Sequence, residues 1–80
     1  MNRTEIFKSV KSVFKNVLEI DNIEIEESFT NKDVDGWDSL THIMLIVEIE
    51  KTLKIKFLSS EIISWNNIGE MIDCIESRIK

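Results

Sequence analysis

Apolar positions recur at helical spacing in three stretches of the chain and lose their period between the first and second. From Asn2 to Leu18, the residues Ile6, Phe7, Val10, Val13, Phe14, Val17 and Leu18 share one stripe at about 100° per residue. Arg3, Lys8, Lys11 and Lys15 stay off that stripe. The pattern predicts an amphipathic helix whose apolar side is core. From Glu19 to Gly36 the period fades, and Ile23, Ile25 and Phe29 are expected to pin a long polar loop to that core. Loops of this length are uncommon in a small domain and are often functional. Gly36 gives the backbone freedom for a turn before the next helix.

The second helix is expected to start with Asp38 as N-cap and to run to Leu53. Its pattern differs from the first. Leu40, Ile43, Met44 and Val47 make one apolar face, and Leu45, Ile46, Ile49 and Leu53 make a second, roughly opposite. A small domain cannot easily bury both, so one face should stay available to a partner or ligand. Lys54 to Phe57 reads as a short extended connection, and Ser59 or Ser60 as the cap of a brief turn through Ile63. A last helix is expected from Asn66 or Asn67, with Ile68, Met71, Ile72, Ile75 and Ile79 on one face. The predicted fold is all-α: a bundle of three main helices plus one short helix, forming one domain over residues 1–80.

Composition narrows the function classes. Eighty residues with two glycines, no proline and 42% hydrophobic content suit a compact helical domain rather than a disordered chain. So short a chain has little room for both a large core and a deep substrate cleft, which argues against an autonomous enzyme. One cysteine, Cys74, excludes an intramolecular disulfide and a cysteine-built metal site. No signal-peptide pattern and no bilayer-length apolar run is present, so a cytoplasmic protein without membrane insertion is expected. The net charge of −5 is concentrated: Glu19 to Asp38 hold eight acids against one base, Lys32. That field argues against nucleic acid as a partner and for steering toward basic protein surfaces.

Of eight serines, Ser39 alone has a chemically telling setting. It follows Gly36-Trp37-Asp38 and falls in the first turn of the second helix. A phosphodiester there would meet unpaired backbone N–H groups at the positive end of the helix dipole. The physics allows a phosphate-linked group at Ser39 and equally a plain helix-start serine. The run Gly36-Trp37-Asp38-Ser39-Leu40, however, resembles the Asp-Ser-Leu attachment motif of acyl carrier proteins. The resemblance continues through Thr41-His42-Ile43, Glu48-Ile49-Glu50 and Lys54-Ile55-Lys56-Phe57, and so covers nearly the whole chain.

The resemblance implies that Ser39 carries 4′-phosphopantetheine, delivered from coenzyme A by a magnesium-dependent phosphopantetheinyl transferase. It implies a monomeric, non-catalytic carrier that presents thioester-bound intermediates to acyl-loading and acyl-processing enzymes. Asp38 matches the acid preceding the attachment serine. Leu40, Met44 and Val47 match exposed partner-contact positions, joined by the acids Asp35 and Glu48, while Ile46, Ile49 and Leu53 match positions lining the core. Fatty-acid-synthesis members usually hold acids where this chain has Met44 and Lys51, so it looks more like discrete carriers of specialised pathways, whether fatty-acid-like or polyketide-like.

Two rival readings rest on residues alone. Asn31-Lys32-Asp33-Val34-Asp35-Gly36 imitates the opening of an EF-hand calcium loop, but the twelfth position is His42 instead of a bidentate glutamate. Ser39 with His42 imitates part of a hydrolase, but no Gly-x-Ser-x-Gly elbow is present. An unmodified helical docking module is the remaining alternative. Trp37 is expected to pack the loop beside Ser39, Trp65 to plug the space under the short helix, His42 to be half-buried and structural, and Cys74 to be packing.

Overall fold

The computed structural model describes residues 2–21 and 24–79. Four helices follow one another: α1 (Arg3–Leu18), α2 (Ser39–Leu53), the short α3 (Ser59–Ile62) and α4 (Ile68–Ile79). α1 packs chiefly against α2 and α4. The core consists of their facing stripes: Ile6, Val10 and Phe14 from α1, Leu45 and Ile49 from α2, and Ile68, Met71, Ile72 and Ile75 from α4. The stripes read for α1 and α4 are thus buried, with Phe7, Val17, Leu18 and Ile79 partly so, and of the two read for α2 the one holding Leu45 and Ile49.

The helix starts are set locally. The Asn2 side chain accepts from Glu5 N–H at 2.9 Å, and Glu5 Oε1 in turn accepts from Asn2 N–H. Asn67 Oδ1 accepts from Glu70 N–H at 2.9 Å, as expected of a capping asparagine. The short helix corrects one expectation. The cap position is Leu58 rather than a serine, because Ser59 already lies within the helix. Glu61 supplies the missing acceptor, its Oε1 taking the Leu58 N–H at 2.8 Å. A glutamate three residues into a helix reaches back to the preceding amide more effectively than an exposed serine here does.

Two helices end on residues with left-handed backbone. Glu19 (φ 56°) closes α1 and Lys54 (φ 57°) closes α2. The next amides, Ile20 and Ile55, reach back to Lys15 O and Glu50 O at 3.2 Å. Lys54 therefore turns the chain, and the non-helical connection starts only after it.

Between α1 and α2 the loop is tied down rather than draped. Ile25 and Val34 are buried and Phe29 packs against the core; Ile23, expected beside them, lies outside the described residues. The loop carbonyls of Phe29 and Glu27 accept from Ile68 N–H and Gly69 N–H at 3.0 and 2.7 Å. They thereby satisfy amides at the start of α4 that have no partner within the helix. Gly69 permits this approach, since a Cβ there would lie 3.2 Å from Glu27 O. Arg3 fastens the same corner, pairing with Glu27 at 2.6 Å, Asp73 at 2.7 Å and Glu76 at 3.2 Å. The loop returns to the end of α1 at Gly36, whose positive φ of 84° suits glycine and which lies against Leu18. α2 therefore starts beside the end of α1.

Candidate functional site

The start of α2 is fixed by a reciprocal cap. Asp38 Oδ1 accepts from Thr41 N–H at 2.9 Å, and Thr41 Oγ1 accepts from Asp38 N–H at 2.7 Å. The Thr41 hydroxyl also donates to Gly36 O at 2.7 Å, which binds the turn to the helix. The Thr41 backbone N–H, followed by its hydroxyl, holds the Asp38 carboxyl below the usual carboxylate range. Asp38 is therefore a carboxylate at neutral pH. Ser39 is the first residue of α2 and is exposed, so its hydroxyl stands at the positive end of the helix within reach of a macromolecule.

Trp37, immediately before the cap, is 8% exposed and meets Phe14 edge to face at 5.0 Å. Its indole N–H donates to His42 Nδ1 at 3.0 Å. An indole nitrogen can only donate, so Nδ1 is the unprotonated nitrogen and Nε2 carries the proton. Nε2–H then donates to Ile62 O at 3.2 Å, at the end of α3. Both imidazole nitrogens are thus committed away from Ser39, which removes the Ser39–His42 hydrolase reading. His42 is the half-buried structural residue expected, and it latches α3 onto α2. Trp65 continues the stack, edge to face with His42 at 6.1 Å and with Phe57 at 5.1 Å.

Beside Ser39 lies an open cleft of about 470 Å³, with Trp37, Ile43, Ile62, Ile63, Trp65 and Met71 among its walls. It is larger than so short a chain led one to expect. His42 and Ile62, joined by their hydrogen bond, both line it.

The two apolar faces of α2 have separate fates. Leu45, Ile46 and Ile49 are buried, whereas Leu40, Ile43, Met44 and Val47 are 71, 52, 46 and 41% exposed. Asp35 and Glu48 are exposed as well, Glu48 lying 4.0 Å from Lys51. The acidic segment is less free than its composition suggests. Glu27 is spent on Arg3, and Asp33 Oδ2 accepts from Thr30 N–H at 2.9 Å in a local turn. That turn occupies the stretch resembling a calcium loop. Among the described residues, no three His, Cys, Asp or Glu side chains gather as metal ligands would. Sequence reasoning missed the His42 bridge to Ile62 and the Glu61–Arg78 pair that joins α3 to α4. Neither has a signal in local spacing.

A family model described as a phosphopantetheine attachment site matches residues 8–75. The chain belongs to that family. It is 27% identical over 78 residues to an acyl carrier protein of Thermotoga maritima, covering 98% of this chain and 96% of that one. It is also similar to the solution NMR structure of holo acyl carrier protein from Geobacter metallireducens, at TM-score 0.79 and 31% identity. That match covers 89% of this chain and 85% of that one. The fold is thus the acyl-carrier bundle, and the group carried by this family is covalent 4′-phosphopantetheine. The residues at the start of α2 fit such a group: an exposed hydroxyl, a helix N-terminus suited to a phosphodiester, and a cleft alongside. Among the described residues, no helix is long and apolar enough to cross a membrane.

Proposed function

We propose that Ser39 is the attachment residue and that the protein is a monomeric, non-catalytic acyl carrier of the cytoplasm. The observation that carries this reading is the exposed Ser39 hydroxyl at the first position of α2, within the carrier-family match. On attachment, the Ser39 Oγ–H bond is replaced by an Oγ–P bond as the phosphoanhydride of coenzyme A breaks and 3′,5′-ADP leaves. The bound group supplies a thiol on a flexible arm, where acyl intermediates are held as thioesters. The protein's own part is positioning and address. The α2 dipole steadies the phosphodiester, and tethering keeps cargo at high effective concentration near each enzyme.

Asp38, fixed by Thr41 and ionised, offers the phosphopantetheinyl transferase a rigid negative contact next to Ser39. Leu40, Met44 and Val47, flanked by Asp35 and Glu48, form the surface for acyl-loading and acyl-processing enzymes. An apolar face left open on an otherwise well-packed helix supports that role. Since Met44 and Lys51 stand where acids serve fatty-acid carriers, the partners read a more apolar surface, as suits a specialised pathway.

The test is intact mass after incubation with coenzyme A, magnesium and a broad-specificity phosphopantetheinyl transferase, with Ser39→Ala alongside. The wild-type chain gains one phosphopantetheine and the variant none. Modification of Ser39→Ala at another serine would overturn the assignment.

A further inference from the structure

The exposed row of apolar residues on α2 ends on a base. Leu40, Met44, Val47 and Lys51 stand at i, i+4, i+7 and i+11, so they follow one another along one side of the helix. The Lys51 side chain is 71% exposed, and Glu48 lies 4.0 Å from it, an exposed pair of little energetic weight. Just beyond, Lys54 and Lys56 are exposed and pair with no carboxylate among the described residues. Glu50, the other acid at this end, has its Oε2 turned to the Phe57 N–H at 2.9 Å. Residues 51–58 hold three lysines and no acid.

The other end of the same helix is negative. Asp35 and Asp38, both exposed, precede Ser39. Fifteen residues at a rise of about 1.5 Å set the two ends of α2 about 22 Å apart. That exceeds the screening length of about 8 Å in physiological salt, so a docked surface meets the two signs separately. Lysines at a helix C-terminus also offset the helix dipole, which accounts for Lys51 and Lys54. Lys56 lies past the helix, where that effect has faded.

We infer that the enzymes docking on Leu40, Met44 and Val47 present carboxylates to Lys51, Lys54 and Lys56 and bases to Asp35 and Asp38. The inference rests on that apolar row being the partner surface. A complementary surface turned end for end would set like charges against each other, so the two signs select one orientation. In that orientation the Ser39 end, with its arm, always meets the basic end of the enzyme's docking surface.

The test uses the acyl-loading enzyme of the source cells, purified from extract by the further mass gain it produces on the full chain already loaded with phosphopantetheine. In a Lys51→Glu/Lys54→Glu/Lys56→Glu variant, the KM of that enzyme for the loaded chain rises about tenfold with kcat little changed. The rise shrinks in about 0.5 M salt. Far-UV circular dichroism checks that the variant folds. A Lys51→Gln/Lys54→Gln/Lys56→Gln variant, milder for the helix end, gives a smaller rise, and the corresponding arginine variant keeps the wild-type KM. A carbodiimide, which condenses an amine with a carboxylate in contact with it, joins these lysines to aspartates or glutamates of the enzyme. Crosslinks only from Asp35 or Asp38 to the enzyme's lysines, or a KM unmoved by the glutamate and glutamine variants, would overturn the inference and leave the apolar row standing. A KM unmoved by Leu40→Ser/Val47→Ser would remove the row and the inference together. Absence of the first mass gain would remove the Ser39 reading and this one with it.

Discussion

Replacing His42 by alanine removes two hydrogen bonds at once, and the two losses are unequal. The Trp37 indole N–H lies on a side chain only 8% exposed, so losing its acceptor leaves a buried donor unpaired, at about 1–3 kcal/mol. The Ile62 carbonyl sits at the open cleft, where water can replace the imidazole. That loss costs at most the ordinary net value of about 0.5–1.5 kcal/mol. His42→Ala is therefore expected to lose about 2–4 kcal/mol, a large share of the roughly 4–12 kcal/mol typical of an 80-residue domain. Trp37→Phe keeps the edge contact with Phe14 and loses the donor, leaving an acceptor that cleft water can reach, so its cost is smaller, about 2 kcal/mol. The double variant isolates the bond itself. Urea unfolding followed by far-UV circular dichroism should give a coupling of about 0.5–1.5 kcal/mol between the two sites. Hydrogen exchange should also quicken at Ile62 and Ser64 in His42→Ala, because α3 loses its tie to α2. A coupling within about 0.3 kcal/mol of zero, with exchange in α3 unchanged, would refute the view that this bridge holds the helix.

Arg3→Met keeps the apolar stem and removes the charge that gathers Glu27, Asp73 and Glu76. These half-exposed pairs should together be worth about 1–2 kcal/mol, the loss shrinking in molar salt; a salt-independent loss in urea titrations would point to packing instead. The Arg3 hydrogen bond, above all, holds Glu27 below its ordinary value of 4.5. Its contribution is thus present above that pH and fades as pH falls through the lower folded value, so Arg3→Met should flatten the acid limb of the stability curve measured by circular dichroism. Lys54→Gly relieves a left-handed residue at the end of α2 and should stabilise by about 0.5–1 kcal/mol in urea titration, a loss being the contrary result. Burial, then the neighbouring Glu61 carboxylate, pushes the Cys74 thiol up, so iodoacetamide should alkylate it more slowly than a peptide thiol at mildly alkaline pH and at the ordinary rate in urea.

The helices were legible because their causes are local. The stripe from Ile6 to Phe14, the caps at Asp38 and Asn67, and the first-turn position of Ser39 each depend on residues within about one helical turn. The pattern of α2 showed two apolar faces and left open which would be covered. Only the packing of α1 and α4 settled that, burying Leu45 and Ile49 and leaving Leu40 and Met44 in solvent. The cap of α3 was misread because two serines looked like better caps than a glutamate three residues on, and side-chain reach decided otherwise. The Arg3–Glu27 clamp spans 24 positions and the His42–Ile62 bridge 20. Such pairs carry no period or spacing of their own, because they come into being only when separate helices bring distant side chains within bonding distance.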